Sequence, residues 1–459
     1  MWTLPEVAEP VTFVVFGATG DLFARKIIPS LYLLYTEGKL PEVFSVIGFG
    51  RAAHTTESFR EHVFVQLKHT APGVSKSVAE PFLGLFEYHR GEFHDSASFK
   101  TLGEAIARRD AACQCVTVKS FYLAVPPEQV PILAPHISEV APKSKKARRI
   151  IIEKPFGKDE ASARELSDLL HRFFDEKELF RIDHYLAKPA LDTLLHARTK
   201  HKRYDALLRS EPIADITITL FETLGVEKRG AFYDRIGALR DVGQNHLLEM
   251  LALAVMPIPE IDAMHVCRAR ETFMGALPRL KKAEITAQTL RGQYSGYQSI
   301  DGVTEASATE TYFRVGFMLE APPYTGVPVT LQSGKRMREM QKDIVISFHC
   351  EHTDSLHIEL EPLARIYTKK GDSIDTIAEF IDPEPNIQYA NEYASLFMHA
   401  WANNMTYFPT EKEVEYQWRF VDPVLEAWGK GAAALHTYPQ GWSGTIETWT
   451  PQKQSASSA

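Results

Sequence analysis

Apolar residues in the first 180 positions come in short unbroken runs. Residues 11–16 (VTFVVF), 44–47, 120–125, 149–152 and 179–182 each read as a strand covered on both faces, the pattern of a parallel sheet. Helical periodicity follows the first run to about Glu37 and fills 161–174. Strands alternating with helices predict a doubly wound, Rossmann-like α/β domain over 1–180. Beyond that the period changes. Two-residue alternation at 213–221, 284–294, 311–320, 327–333, 343–350 and 355–361 leaves little room for crossover helices. It predicts an α+β domain over 181–450 with a mainly antiparallel sheet. A long apolar helix is predicted over about 235–255, and later helices near 391–403 and 411–428. Residues 451–459 (PQKQSASSA) read as a disordered tail.

Composition narrows the class. With 459 residues, 44% hydrophobic and 24% charged, the chain fits an ordinary globular protein of two or three domains. Lys plus Arg number 51 against 59 Asp plus Glu, a balance of −8 that argues against a nucleic-acid or membrane partner. The basic stretches Lys143–Arg149 and 197–209 read as solvated surface. Four cysteines do not make a disulfide framework, which points to a reducing compartment. Cys113 and Cys115 form a CxC with no His/Cys cluster beside it, so no metal is expected. The start MWTLPEVAEP lacks the features of a signal peptide, and the apolar run Leu247–Met256 is too short to span a bilayer. A cytoplasmic protein is expected.

The richest chemistry follows the run 179–182. Asp183, His184, Tyr185 and Lys188 put a carboxylate, an imidazole, a phenol and an ammonium within six positions. His184, Tyr185 and Lys188 can donate to a phosphate, whereas Asp183 can only accept and suits orienting another imidazole. The GATGDL turn (Gly17, Thr19, Gly20, Asp21, Leu22) joins the first strand to a helix, where a pyrophosphate can approach backbone N–H groups. An acid after the second strand would hold a ribose 2′-hydroxyl. Arg51 stands there instead, with Thr19 available, which favours NADP and leaves NAD as a secondary coenzyme. Glu153-Lys154-Pro155-Phe156-Gly157 ends another strand at the carboxyl edge of the sheet, and its proline raises the prospect of a cis peptide. In the helix over 235–255, Asp241 and Gln244-Asn245-His246 interrupt an apolar sequence. Gly243 could leave room there for a ligand, and His246 suits a general base.

GATGDL at 17–22, FYLAVPP at 121–127, EKPFG at 153–157, RIDHYLAK at 181–188 and RDVGQNHLLEMLAL at 240–253 together resemble the glucose-6-phosphate dehydrogenase family. RGQY at 291–294, Gly334-Lys335 and the run from Glu413 through Trp428 extend the resemblance over about 11–445. It implies oxidation of glucose 6-phosphate at C1 to 6-phosphogluconolactone with hydride transfer to NADP. His246 would take the C1 hydroxyl proton, and Asp183 would orient it. His184, Tyr185 and Lys188 would hold the phosphate, supported by Lys335, while Lys154, Glu222 and Asp241 would contact sugar hydroxyls. Gly17, Thr19, Gly20, Asp21, Leu22, Arg51 and Lys154 would serve the coenzyme. A homodimer or homotetramer is implied as well. Met340 departs from a basic residue common in the family, and Leu208-Arg209-Ser210 from its Trp-Asn-Arg run. Tyr438–Thr450 matches only loosely, so no second structural NADP site follows. Two other readings compete. A glucose–fructose oxidoreductase type of enzyme would share the EKP lysine but not explain RIDHYLAK together with QNHLL. A silent nucleotide-binding scaffold would have lost Asp183, His184, Lys188 or His246, and none is lost.

Overall fold

All six side chains of Val11–Phe16 (β1) are buried, so this strand has no solvent face and the sheet around it is parallel. β1 pairs with Phe44–Gly50 (β2) and Val118–Leu123 (β4). Phe86–Arg90 (β3) lies beyond β2, and Arg148–Glu153 (β5) and Leu179–Ile182 (β6) lie beyond β4, giving the order 3-2-1-4-5-6. That order reverses between β1 and β4, the place where doubly wound folds open a crevice at the strand carboxyl ends. The third expected strand, 120–125, lies two residues earlier in the structure, and β3, with only Phe86 and Tyr88 buried, was not expected.

The computed structural model describes residues 4–141, 148–200, 202–258, 263–361, 364–380 and 388–444. The chain forms two units: Met1–Lys188 with Pro383–Glu411, and Pro189–Asp382 with Lys412–Ala459. The expected tail at 451–459 and residues 143–147 of the first basic stretch lie outside the described residues.

In the first unit, one sheet face (Phe16, Phe49, Phe121, Ile150, Ile152) packs on residues of Ser96–Cys113, Val130–Val140 and Glu160–His171. Asp95 and Asp159 start the first and last of these helices by accepting orphan backbone N–H groups. The opposite face meets Gln388–Trp401, which arrives from far along the chain. The Phe13 ring lies 5.3 Å from Phe397 and 5.5 Å from Trp401, and the Trp401 indole N–H donates to the Ser120 hydroxyl.

Two surface expectations fail here. Arg148 is buried in a two-pronged pair with Glu178 (3.0 and 2.9 Å), and buried Arg149 donates to the Ala400 carbonyl. In the second unit Arg198, from the other basic stretch, is buried, pairs with Asp205 and donates to the Leu253 and Met256 carbonyls. A guanidinium with every donor satisfied can be interior, and a basic run read by composition conceals this. Cys113 and Cys115 form a disulfide around Gln114, which takes a left-handed φ of 53°. One bridge between near neighbours is a local loop, not a framework.

The second unit is built on nine strands in the order β14-β13-β12-β11-β7-β10-β9-β8-β15. Their ranges are Ile213–Phe221 (β7), Thr289–Tyr294 (β8), Tyr312–Met318 (β9), Pro328–Gly334 (β10), Gln341–Phe348 (β11), Ser355–Glu361 (β12), Ala364–Lys370 (β13), Ser373–Phe380 (β14) and Leu435–Tyr438 (β15). The β7/β10 and β8/β15 pairs are parallel and the remainder antiparallel. The segment read as one strand over 284–294 splits: Glu284 accepts the Lys281 N–H and starts the helix Lys282–Gln288 before β8 begins. The long helix over 235–255 also divides. Gly237 takes φ +75° and a Cβ there would strike the Glu310 carboxylate, whose oxygen accepts the Leu239 N–H. A π-helical turn, Leu239–Leu247, follows, and then the α-helix Leu248–Val255.

His399, on the helix Gln388–Trp401, is buried against Tyr407, with ring centroids 4.4 Å apart. Its Nδ1 has no hydrogen-bond partner among the described residues, and burial pushes its pKa down to about 3. The unfolded chain therefore binds a proton that the folded chain refuses. Stability is fully present above the ordinary value near 6.5 and is lost as pH falls toward the folded value. We predict a loss of about 2 kcal/mol between pH 7 and pH 5 from this group. His399→Gln should flatten the pH dependence of the calorimetric Tm over that interval, and an unchanged slope would refute the assignment.

Candidate active site

In the first unit the carboxyl edge of the parallel sheet collects the residues that sequence placed at a coenzyme. Gly17 takes φ +81°, and a Cβ there would lie 2.3 Å from the Ala124 carbonyl, so only glycine lets the turn pass β4. Thr19, Gly20 and Asp21 are exposed, and Leu22 is half-buried. Asp21 forms an ion pair with Arg25. Exposed Arg51 stands just past β2, beside the first turn: a Cβ at Gly50 would lie 4.0 Å from the Thr19 hydroxyl. The Arg90 Nε donates to the Arg51 carbonyl, so a second guanidinium shares this edge. Sequence reasoning missed Arg90 because it missed β3. An open glycine turn with exposed arginines beyond the second strand fits a dinucleotide.

Across the same sheet, the β5 and β6 ends carry a denser polar cluster. The Lys154–Pro155 peptide is cis, as the proline suggested. Glu153 accepts from the Tyr122 and Tyr393 hydroxyls, and burial raises its pKa despite those bonds. Asp183 is 2% exposed and accepts the Tyr185 N–H at 2.9 Å, tightening the turn after β6. The Lys188 ammonium donates to Glu392 at 3.0 Å and lies 4.8 Å from the Tyr185 ring centroid. The His184 and Tyr185 rings meet edge to face at 5.1 Å. Lys26 joins them: burial pushes its pKa down to about 8, opposed chiefly by Glu392. Lys26, Glu392 and Tyr393 were not identified from sequence. Lys26 lies in the first helix, seven residues before Leu33, where its charge looks like ordinary solvent-facing surface.

His171, Glu176 and Glu411 also have metal-ligand spacing in this unit. The buried Arg181 guanidinium already pairs with both Glu176 oxygens, and the Glu411 N–H donates to one of them. This group is an ion-pair junction.

In the second unit, β7 and β10 run parallel with Phe221 opposite Gly334, so the next residues, Glu222 and Lys335, emerge side by side. Their charged groups are 2.5 Å apart, and the Lys335 ammonium lies 5.3 Å from the Tyr233 ring centroid. Tyr233 is another residue missed from sequence. Its hydroxyl is buried without a hydrogen-bond partner among the described residues. Burial raises its pKa well above the ordinary value, and the charges of Asp241, Glu310 and Glu222 add to the shift. Asp241, Asn245 and His246 lie on the π-helical turn, with His246 2% exposed. The Asn245 side chain donates to the Arg240 carbonyl. Gly243 does not leave a ligand space: a Cβ would meet Phe313 at 2.8 Å and Leu239 at 2.7 Å, so the glycine admits close packing. Met340 is exposed, while neighbouring Arg336 pairs with Glu227 at 2.8 Å. Leu208 is buried near the end of the helix Lys202–Ser210.

Among the described residues no helix is long and apolar enough to cross a membrane. Residues 14–192 match the family model for the glucose-6-phosphate dehydrogenase NAD binding domain, and 195–456 match that for its C-terminal domain. The chain is 31% identical over 486 aligned positions to glucose-6-phosphate 1-dehydrogenase 2 of Mycobacterium tuberculosis, covering 98% of this chain and 93% of that one. It is 32% identical over 471 positions to glucose-6-phosphate 1-dehydrogenase of Streptococcus pneumoniae, with 95% and 94% covered. Its fold is similar to that of a glucose-6-phosphate dehydrogenase solved in complex with its substrate, glucose 6-phosphate (TM-score 0.85, 28% identity, 97% of each chain). The Mycobacterium avium enzyme is similar too, at TM-score 0.82 and 27% identity, with 95% of each chain covered. With both family domains matched along nearly its whole length, this chain belongs to the glucose-6-phosphate dehydrogenase family.

Proposed function

We propose that this protein oxidises glucose 6-phosphate at C1 to 6-phosphogluconolactone, the entry step of the oxidative pentose phosphate pathway, with NADP as its preferred coenzyme. The observation that carries the reading is His246, an imidazole held 2% exposed on a polar π-helical turn that leads into the helix Leu248–Val255. The protein atoms do three things. His246 accepts the proton of the C1 hydroxyl, and Asp183 orients that imidazole and balances its charge, as family membership suggests. His184, Tyr185 and Lys188 hold the phosphate, with Lys26 as a further cation and Lys335 in support. Lys154, Glu222 and Asp241 position the sugar hydroxyls, and Lys154 also faces the coenzyme. When bound, the coenzyme accepts the hydride that leaves C1. A cytoplasmic homodimer or homotetramer belongs to the same reading, and light scattering on the purified protein measures its size.

Three substitutions test the roles separately. His246→Asn should lower kcat by roughly 10²–10⁴-fold while leaving KM within a few-fold, because the base acts in the transition state. Asp183→Asn keeps an oxygen for the Tyr185 N–H and should lose less. Near-normal turnover by His246→Asn in an NADPH absorbance assay would sink the base assignment.

Lys188→Ala should act on KM. A phosphate contact made alike in ground and transition states appears in KM for glucose 6-phosphate, by roughly ten- to hundredfold for a charge-assisted bond. An unchanged KM, or an equal loss with unphosphorylated glucose, would remove Lys188 from the phosphate site.

Coenzyme preference rests on Arg51 and Thr19, with Arg90 alongside. A guanidinium pairs with a 2′-phosphate and has no such partner in NAD. Arg51→Ala should reduce the NADP/NAD ratio of kcat/KM by roughly ten- to hundredfold. The same ratio in both proteins would make Arg51 ordinary surface.

A further inference from the structure

The mechanism leaves unused a buried polar network behind the turn that carries His246. Gln417, on the helix Glu411–Gly429, is 2% exposed. Its side-chain oxygen accepts from Gln244 Nε2 at 3.3 Å, and its Nε2 donates to Glu249 Oε1 at 2.5 Å. Glu249 is fully buried, with its second oxygen 3.6 Å from the Arg270 Nε. Arg270, also fully buried, is fixed by Glu413 at 2.5 Å. Gln417 therefore bridges two residues of one helix, Gln244 and Glu249, that are five positions apart. On an α-helix of 3.6 residues per turn such residues point roughly 140° apart and one side chain does not easily reach both. A turn closed by i→i+5 bonds brings them back to a common face. The bridge spans the end of the π-helical segment Leu239–Leu247 and the start of the α-helix Leu248–Val255. It is matched to the wide turn.

We propose that Gln417 and Glu249 are positioning residues: their clamp, anchored by Arg270 and Glu413, holds the π register of the turn and so fixes the aim of His246. Released, the turn relaxes toward α-helical winding, which re-aims its residues by up to about 100°. The inference rests on the reading of His246 as the base.

The test uses the full-length protein with glucose 6-phosphate and NADP. It compares Gln417→Leu, Glu249→Gln and His246→Asn by kcat, both KM values, Tm and the isotope effect on kcat with substrate deuterated at C1. Gln417→Leu removes both clamp bonds. Its kcat should fall by roughly ten- to hundredfold with both KM values within about threefold, and the isotope effect should rise as chemistry becomes rate-limiting. Glu249→Gln keeps the acceptor oxygen and should recover most of kcat. If Gln417→Leu does not fold, Gln417→Met, of similar length and without the amide, carries the same expectation. Wild-type kcat and isotope effect in a folded Gln417 variant would overturn the clamp, as would a loss confined to KM. A collapse of His246→Asn beside an unaffected Gln417 variant defeats the clamp alone. Wild-type turnover by His246→Asn defeats the base assignment on which it rests.

Discussion

A parallel sheet has two apolar faces, and both must be covered. Its own crossover helices cover one face here, and the helix Gln388–Trp401 covers part of the other through Phe397 and Trp401. In chain order this helix returns to the first unit only after β7 to β14. It is amphipathic in more than the usual sense. Its apolar side closes the core, while Glu392 and Tyr393 reach Lys188 and Glu153. The burial requirement of the sheet and the electrostatics of the polar cluster after β6 thus depend on one element.

Interior charge is handled throughout by local completion. Arg148 with Glu178, Arg198 with Asp205, Lys188 with Glu392 and Arg270 with Glu413 are each hydrogen-bonded, and all but half-buried Asp205 are buried. Such pairs add little net stability, but losing one partner strands a charge and costs about 3–5 kcal/mol. A buried charge thereby penalises any packing of its helix or strand that removes its partner. Glu392 also opposes the burial that pushes the pKa of nearby Lys26 down to about 8.

The second unit reaches its chemistry by a different backbone device. Within a mainly antiparallel sheet, the parallel β7/β10 pair brings two strand carboxyl ends together and places Glu222 against Lys335. The π-helical turn does comparable work for His246, widening the helix locally where amide side chains must pack in the core. Glu310 secures its start at Leu239, and Gln417 bridges its end.

Local pattern in the sequence determined the doubly wound class, most strands of both sheets, and the residue types that carry chemistry. Runs such as VTFVVF report burial on both faces directly, and RIDHYLAK or RDVGQNHLL concentrate groups that an apolar setting does not tolerate without purpose. Strands rich in charge, β3, β13 and β14, escaped that logic because their faces are partly solvated. So did the division of 235–255 by Gly237 and of 284–294 by the Glu284 cap, where single backbone contacts outweigh periodicity. Only tertiary structure decided that Glu392 meets Lys188 near Lys26, that Tyr393 meets Glu153, that Arg90 stands beside Arg51, and that Gln417 bridges Gln244 and Glu249. Those partners lie far apart along the chain or on strands without a strong pattern. Periodicity records which face of an element is buried, but the partner that buries it is chosen by the packing of the whole unit.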